Sequence, residues 1–266
     1  MGFREVKRAF PDKKTRVIAI INQKGGVGKS TTAVNLTSAL GENKKKVLLI
    51  DFDPQGNSTS GYGIEKEELD KDIYDALLRG ADIEGIIQPT IEKTVFVIPA
   101  TIQLAGAEIE LVAHVAREAI LKEIIAPIKD EFDYIFIDCP PSLGLLTLNA
   151  LDAADSMLIP IQCEFYALEG LTKLLETMKM VKTHLNPDLD IFGVVMTMYD
   201  TRTSLSKEVV EEVQKFFGNK VFKSIIPRSV KLSEAPSHGL PINHYSRVNK
   251  GALAYQKLAR EVVRRG

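Results

Sequence analysis

The chain has 266 residues, 45% of them hydrophobic and 26% charged, and a net charge of −1. This composition excludes a disordered or fibrous chain, and the length allows one large domain or two small ones. No apolar run approaches the ~20 residues that cross a bilayer, the opening Met-Gly-Phe-Arg-Glu-Val has no signal-peptide core and Val6 breaks the myristoylation pattern, and two cysteines, Cys139 and Cys163, are too few for a disulfide framework and fit a reducing cytoplasm.

Residues 1–15 are polar and basic, with Pro11 interrupting, and are expected as a flexible arm ahead of a domain spanning 16–266. An apolar run at 17–22 reads as a strand. It feeds Gln23-Lys24-Gly25-Gly26-Val27-Gly28-Lys29-Ser30-Thr31, which opens a helix patterned by Ala33, Val34, Leu36, Ala39 and Leu40. Lys44, Lys45 and Lys46 read as a solvated run before a second strand at 46–51. That strand ends in Asp51-Phe52-Asp53-Pro54, and the loop 57–63, rich in Ser, Thr and Gly, is expected to be mobile. Further strands are expected at 95–98, 134–138, 156–161, 191–197 and 220–225. The clearest helix is 165–184, with Leu168, Leu171, Leu174, Leu175 and Met178 on one stripe. Most of the strands are apolar throughout, as parallel strands covered on both faces must be. The β-α alternation predicts an α/β fold: a single doubly wound, mostly parallel sheet with helices on both faces and its ligand at the C-terminal edge of the strands.

The glycine-rich turn carries the chemistry. Glycines let the backbone curl so that its N–H groups face phosphate oxygens, and the helix N-terminus adds the positive end of its dipole. Lys29 reaches β- and γ-phosphates, and the Ser30 hydroxyl is placed to ligate Mg²⁺. The usual spacing G-x-x-x-x-G-K-[ST] is not met, because Gln23 stands at the first glycine; a second lysine, Lys24, opens the loop instead. Asp138 follows four apolar residues at the end of the strand 134–138, where it would hold the water shell of Mg²⁺. Asp51 and Asp53, two apart at the end of another strand, point the same way, and either could orient an attacking water.

Together these residues resemble the ParA/Soj family of partition ATPases, P-loop proteins with a deviant Walker A motif. The matching segments are 24–31, 51–57, 136–144 and 226–237, with Met198-Tyr199-Asp200 and Arg202 before the last. The resemblance spans about residues 16–265. It implies a P-loop NTPase fold of the deviant Walker A type, ATP and Mg²⁺ as cofactors, and ATP hydrolysis. It also implies a two-fold dimer with both nucleotides at its interface. The nucleotide-binding set is then Lys24, Gly25, Gly26, Val27, Gly28, Lys29, Ser30 and Thr31, with Met198, Pro227 and Arg228 on the adenine side. Lys24 is the signature lysine that reaches the partner's phosphates, Asp53 the carboxylate that positions water, and Ser30 and Asp138 the metal side. Implied partners are non-specific duplex DNA and a ParB/Spo0J-type centromere-binding protein that stimulates hydrolysis, in a cytoplasmic, nucleoid-associated protein. No helix-turn-helix pattern precedes the loop, so specific operator binding is not expected.

Residues 200–266 hold 13 Lys and Arg against 6 Asp and Glu, and residues 1–199 carry a balance of −8; taken by itself the split fits scattered solvated Lys and Arg better than a face for an anionic partner, which is the second reading. Arg202 and Lys231 match positions the family uses for DNA, and Lys207, Arg247 and Lys250 are added from charge. The bland alternative pairs Arg202 and Lys231 with acids such as Glu208 and Glu234. Two rival functions fit parts of the pattern. A MinD-like membrane-associated cell-division ATPase would use 252–265 as an amphipathic anchor, but that stripe has no Phe or Trp, and no membrane partner is expected. An iron–sulfur carrier would need Cys139 and Cys163 as ligands, but they lack the usual ligand spacing and read as buried small residues.

Overall fold

A computed structural model describes residues 2–168 and 171–265. Seven strands form one sheet: β1 (Arg16–Ile20), β2 (Val47–Asp51), β3 (Gln88–Pro89), β4 (Val95–Ile98), β5 (Tyr134–Asp138), β6 (Ser156–Gln162) and β7 (Asp190–Thr197). Their order is β3-β4-β2-β5-β1-β6-β7, parallel throughout except for β3. The helices are α1 (Lys29–Glu42), α2 (Asn57–Gly61), α3 (Ile73–Arg79), α4 (Leu104–Glu110), α5 (Ile120–Ile125), α6 (Leu145–Ala153), α7 (Leu171–His184), α8 (Ser204–Phe217), α9 (Val230–Glu234), α10 (Ile242–Tyr245) and α11 (Lys250–Arg265).

Alternation along each strand divides the apolar residues between two cores. Val17, Ala19, Leu48, Ile50, Ile135 and Ile137 pack with residues of α3 to α8. Ile18, Ile20, Val47, Leu49, Tyr134 and Phe136 pack with α1, α10 and α11. The doubly wound sheet is therefore as expected. Parallel pairing also levels the strand ends: Asp138 lies beside Ile20 of β1 and Asp51 of β2.

Four expectations need correction. Residues 220–225 do not form a strand. The segment touches β7 through an isolated bridge of Val221 to Val194, with a second bridge of Pro227 to Tyr199 beyond the strand; Glu261 of α11 accepts the Lys223 and Ser224 N–H groups at 2.9 and 2.7 Å, and the Ser224 group is the one that a ladder continuing from Phe222 would turn to β7. The helix expected at 165–184 is described over Leu171–His184; Ala167 closes a turn onto Glu164, so 165–168 are not helical, and residues 169–170 lie outside the described residues. Loop 57–63 contains α2, whose Ser58 and Thr59 are buried on the acids at the strand ends. Past α2, Gly63 and Gly239, both at positive φ, meet backbone to backbone; a Cβ on Gly239 would come within 2.6 Å of Gly63 Cα.

The fourth concerns the arm. Residues 2–15, expected to be flexible, are laid against the chain. Phe3 is buried, stacked on Phe132 and edge-on to Phe96. Asp133 accepts N–H groups from Ala9, Phe10 and Lys46 at 2.8–2.9 Å. The docked arm buries Lys45 and Lys46, against the expected solvated run: the Lys45 ammonium sits 3.3 Å from the Phe10 ring centroid, and that of Lys46 lies over Phe3 and Phe132. Burial lowers both lysine pKa values. Phe3→Ala should cost about 3 kcal/mol, as for a buried aromatic truncated to Ala. Urea unfolding checks this, and an unchanged midpoint would mean that the docking is not energetically coupled to the core.

Candidate functional site

The turn between β1 and α1 is shaped by Gly26 at φ +76° and Gly28 at φ +89°, the left-handed region that side chains rarely adopt. Gly28 caps α1, so Lys29 and Ser30 are the first two helical residues. Asn22 fastens the loop at its start: its amide donates to Pro160 O at 2.7 Å, and its carbonyl accepts Lys24 N–H at 3.0 Å. Thr197, the last residue of β7, donates its hydroxyl to Val27 O at 2.8 Å. The outer face is open, for a Cβ on Gly25 or Gly26 would meet nothing within 4 Å.

Lys29 is 7% exposed. Its ammonium donates to Lys24 O at 3.3 Å. Desolvation lowers its pKa, opposed by the charges of Asp138 and Asp53. Asp138 is fully buried; Ser58 Oγ donates to Oδ2 at 2.7 Å, while Oδ1 has no hydrogen-bond partner. Burial raises its pKa, and the nearby Ser58 and Ser30 hydroxyls and Lys29 oppose this. An orphaned buried carboxylate oxygen near the Ser30 hydroxyl is a donor set that suits Mg²⁺, a hard, oxygen-seeking cation.

The two acids of β2 separate in role. Asp51 Oδ2 accepts both the N–H and the hydroxyl of Thr59 at 2.7 Å, and the Thr59 hydroxyl in turn accepts Ala100 N–H. Asp51 is thus a buried anchor for α2, its pKa raised by burial and by Asp138. Asp53 shapes its own turn, accepting Gln55 N–H at 2.9 Å, and acts electrostatically on Lys29. Beside the loop, a cavity of about 330 Å³ is lined by Gly28, Thr31, Met198, Pro227, Arg228 and Tyr255. Met198 adopts φ +53°, and Arg228 N–H donates to Tyr199 O at 2.9 Å, so the three residues expected on the base side do lie together.

The family model described as an AAA domain matches residues 15–191. Sporulation initiation inhibitor protein Soj of Bacillus subtilis (strain 168) is 57% identical over 251 residues, which cover 94% of this chain and 99% of that protein. The chain belongs to the ParA/Soj family of partition ATPases. Chromosome-partitioning ATPase Soj of Treponema pallidum (strain Nichols) is 54% identical, covering 94% of this chain and 98% of that one. Among solved structures, cobyrinic acid a,c-diamide synthase from Mycobacterium smegmatis with bound ADP and magnesium matches with a TM-score of 0.83 and 38% identity, over 94% of each chain.

In this ParA/Soj chain the signature position, Lys24, is exposed and forms an ion pair with Glu164, in the loop after β6. The cations expected to meet DNA divide into two groups. Arg202 is bidentate on Asp200, not Glu208, at 2.7 and 2.9 Å, and Lys231 pairs with Glu234 at 2.7 Å. Lys207 and Arg247 lie 3.9 Å from Glu211 and Glu42. Lys250 has no ion pair among the described residues. The apolar side of α11, weighed as a membrane anchor, is packed on α1 through Ala252, Tyr255, Leu258, Ala259 and Val262. Both cysteines are buried, and burial pushes both thiol pKa values up.

Thr197, Ser58, Thr59 and Glu164 belong to the site without a clear mark in the sequence. Ser58 and Thr59 carried a faint signal, as hydroxyl residues a few positions beyond two acids. Thr197 and Glu164 carried none, since each acts on a segment more than a hundred residues away.

The buried acids give a pH test with a definite sign. Asp51 is raised from 3.8 to about 8, so the folded state holds a proton that the unfolded state releases. Stability of the ligand-free protein should fall as pH rises through this window, and Asp51→Asn should flatten that fall. Urea titrations at both ends of the window check it; an unaltered slope in the variant assigns the proton elsewhere.

Proposed function

We propose that this partition ATPase closes into a homodimer on binding ATP and Mg²⁺, holds duplex DNA without sequence preference as the dimer, and releases it on hydrolysis stimulated by a ParB-type partner, in the cytoplasm on the nucleoid. The observation that carries the reading is Lys29: a buried ammonium, acted on by Asp53 and Asp138, beneath a glycine loop whose outer face is open. The curved backbone and the N-terminus of α1 cradle the phosphates, and Lys29 neutralises their charge. Ser30 and Asp138 would hold Mg²⁺, which when bound would supply further neutralisation of the phosphate oxygens. Asp53 orients the attacking water, while Asp51 is committed to Thr59. Lys24, released from Glu164, reaches across to the second nucleotide and stabilises charge as an arginine finger does.

Dimer closure is supported by what surrounds the open loop. Phe165 and Tyr166, directly after Glu164, are exposed large aromatics, which a lone soluble surface does not favour. The DNA reading is supported by the basic excess late in the chain.

Hydrolysis measured alone, with duplex DNA, with a ParB-type protein and with both tests the whole reading. The rate should rise most with both additions, and a rate indifferent to each and to the pair would overturn the regulated cycle. Lys29→Ala should weaken ATP binding about 100-fold, the loss of a charged hydrogen-bonding partner; calorimetry reads it. Asp53→Ala should bind ATP normally, hydrolyse it about 100-fold more slowly and accumulate as a dimer on a sizing column. Gly25→Val fits the single chain, where its Cβ has open space. It should bind ATP yet stay monomeric, and a normal dimer from this variant would count against face-to-face closure.

A further inference from the structure

The exposed cations of the late basic excess are not equivalent. Arg202, Lys231, Lys207 and Arg247 each face an acid. The cavity of about 820 Å³ beneath the docked arm is rich in cations too, but Arg8, Lys14, Lys122 and Lys129 there are matched by Asp133, Asp155 and Asp152. A third set differs. A groove of about 660 Å³ between α11 and the segment 223–227 is lined by Lys223, Lys250, Lys257, Arg260 and Arg264, all exposed. Among the described residues none of these five forms an ion pair. Its one acid, Glu261, is held by the Lys223 and Ser224 N–H groups and the Ser224 hydroxyl.

The spacing along α11 is regular. Positions 250, 257, 260 and 264 share one helix face and, at 1.5 Å per residue, span about 21 Å. One strand of B-DNA advances 3.4 Å per phosphate, so this length covers about six phosphates. The opposite face of α11 is buried on α1, and the Tyr255 hydroxyl lies 3.2 Å from that of Thr32, one turn into the helix that the phosphate loop opens. The stripe thus rides rigidly on the nucleotide-binding helix.

We infer that this groove is the track for the phosphate backbone of duplex DNA, with Lys223, Lys257, Arg260 and Arg264 beside Lys250 as its phosphate contacts. The inference rests on the reading of DNA as the partner and gives that reading a location. Unpaired cations carry the salt-dependent affinity, because each phosphate they neutralise releases a counterion. Arg202 and Lys231 must first give up Asp200 and Glu234. An anionic membrane fits less well, since an interfacial helix inserts its apolar face and that face of α11 is already packed.

The test measures binding of a fluorescent random-sequence duplex with ATP across a salt series. Lys257→Ala/Arg260→Ala/Arg264→Ala is compared with Arg202→Ala/Lys231→Ala and the parent chain. The triple variant should lower the slope of log affinity against log salt by about 2.7 for each subunit engaged, more than the double variant does. A triple variant with the parent's slope overturns the groove. Lack of ATP-dependent binding by the parent chain overturns the DNA reading itself, independently of any variant. Co-sedimentation of the parent, but not the triple variant, with phosphatidylglycerol vesicles, alongside equal DNA binding, would make the groove a lipid site and sink the proposal. Should the triple variant melt early, Lys257→Glu alone replaces it, with an expected tenfold loss of affinity at unchanged melting temperature.

Discussion

A buried ammonium with no carboxylate in contact is the constraint around which the molecule is arranged. Lys29 cannot be left in an apolar interior without compensation. Compensation comes from one carbonyl, Lys24 O, and from the more distant charges of Asp138 and Asp53. This requires two acidic strand ends to lie level with the turn after β1. Parallel pairing of β1, β5 and β2 produces that level, and the long crossovers of a parallel sheet place a helix over each face. The result is a site whose own charges are incompletely matched, where a phosphate anion and a divalent cation complete the balance.

The acids are not interchangeable, and the difference is one of hydrogen bonding. Asp51 and Asp138 are adjacent in register and both fully buried, a repulsive pair. Asp51 spends its oxygens on Thr59 and the Asp53 N–H group. Asp138 spends one on Ser58 and leaves the other without a partner. Two strand-end carboxylates of similar sequence setting thus become a mechanical anchor and a chemical group, decided by α2.

Most of the sheet was legible because covered parallel strands announce themselves as short apolar runs, and because a glycine-rich turn followed by Lys29 and Ser30 ties local geometry to phosphate chemistry. What escaped depended on distant partners. The run 220–225 has strand composition, but Glu261 of α11, 37 residues beyond Ser224, takes its N–H groups. β3 is two residues long and contains Pro89, leaving no pattern to read. Lys45 and Lys46 looked solvated until Phe3 and Phe10 covered them. The charge excess after residue 200 was visible, but whether a given lysine is free or paired depends on which acids the fold brings near; Arg202, expected on Glu208, is held by Asp200, two residues before it.

The carboxylate clasp of Glu261 on Lys223 and Ser224 also limits how copies of the chain can associate. Backbone groups along the outer side of β7 are taken up by Phe222 and Ile226, whose N–H groups donate to Val194 O and Met196 O, and the segment beyond is satisfied by a side chain. The opposite border is a two-residue strand ending at Pro89, which has no N–H to donate. Neither margin among the described residues presents a long, regular strand to a neighbour. Self-association through a continuous intermolecular sheet, which grows without limit, is therefore disfavoured.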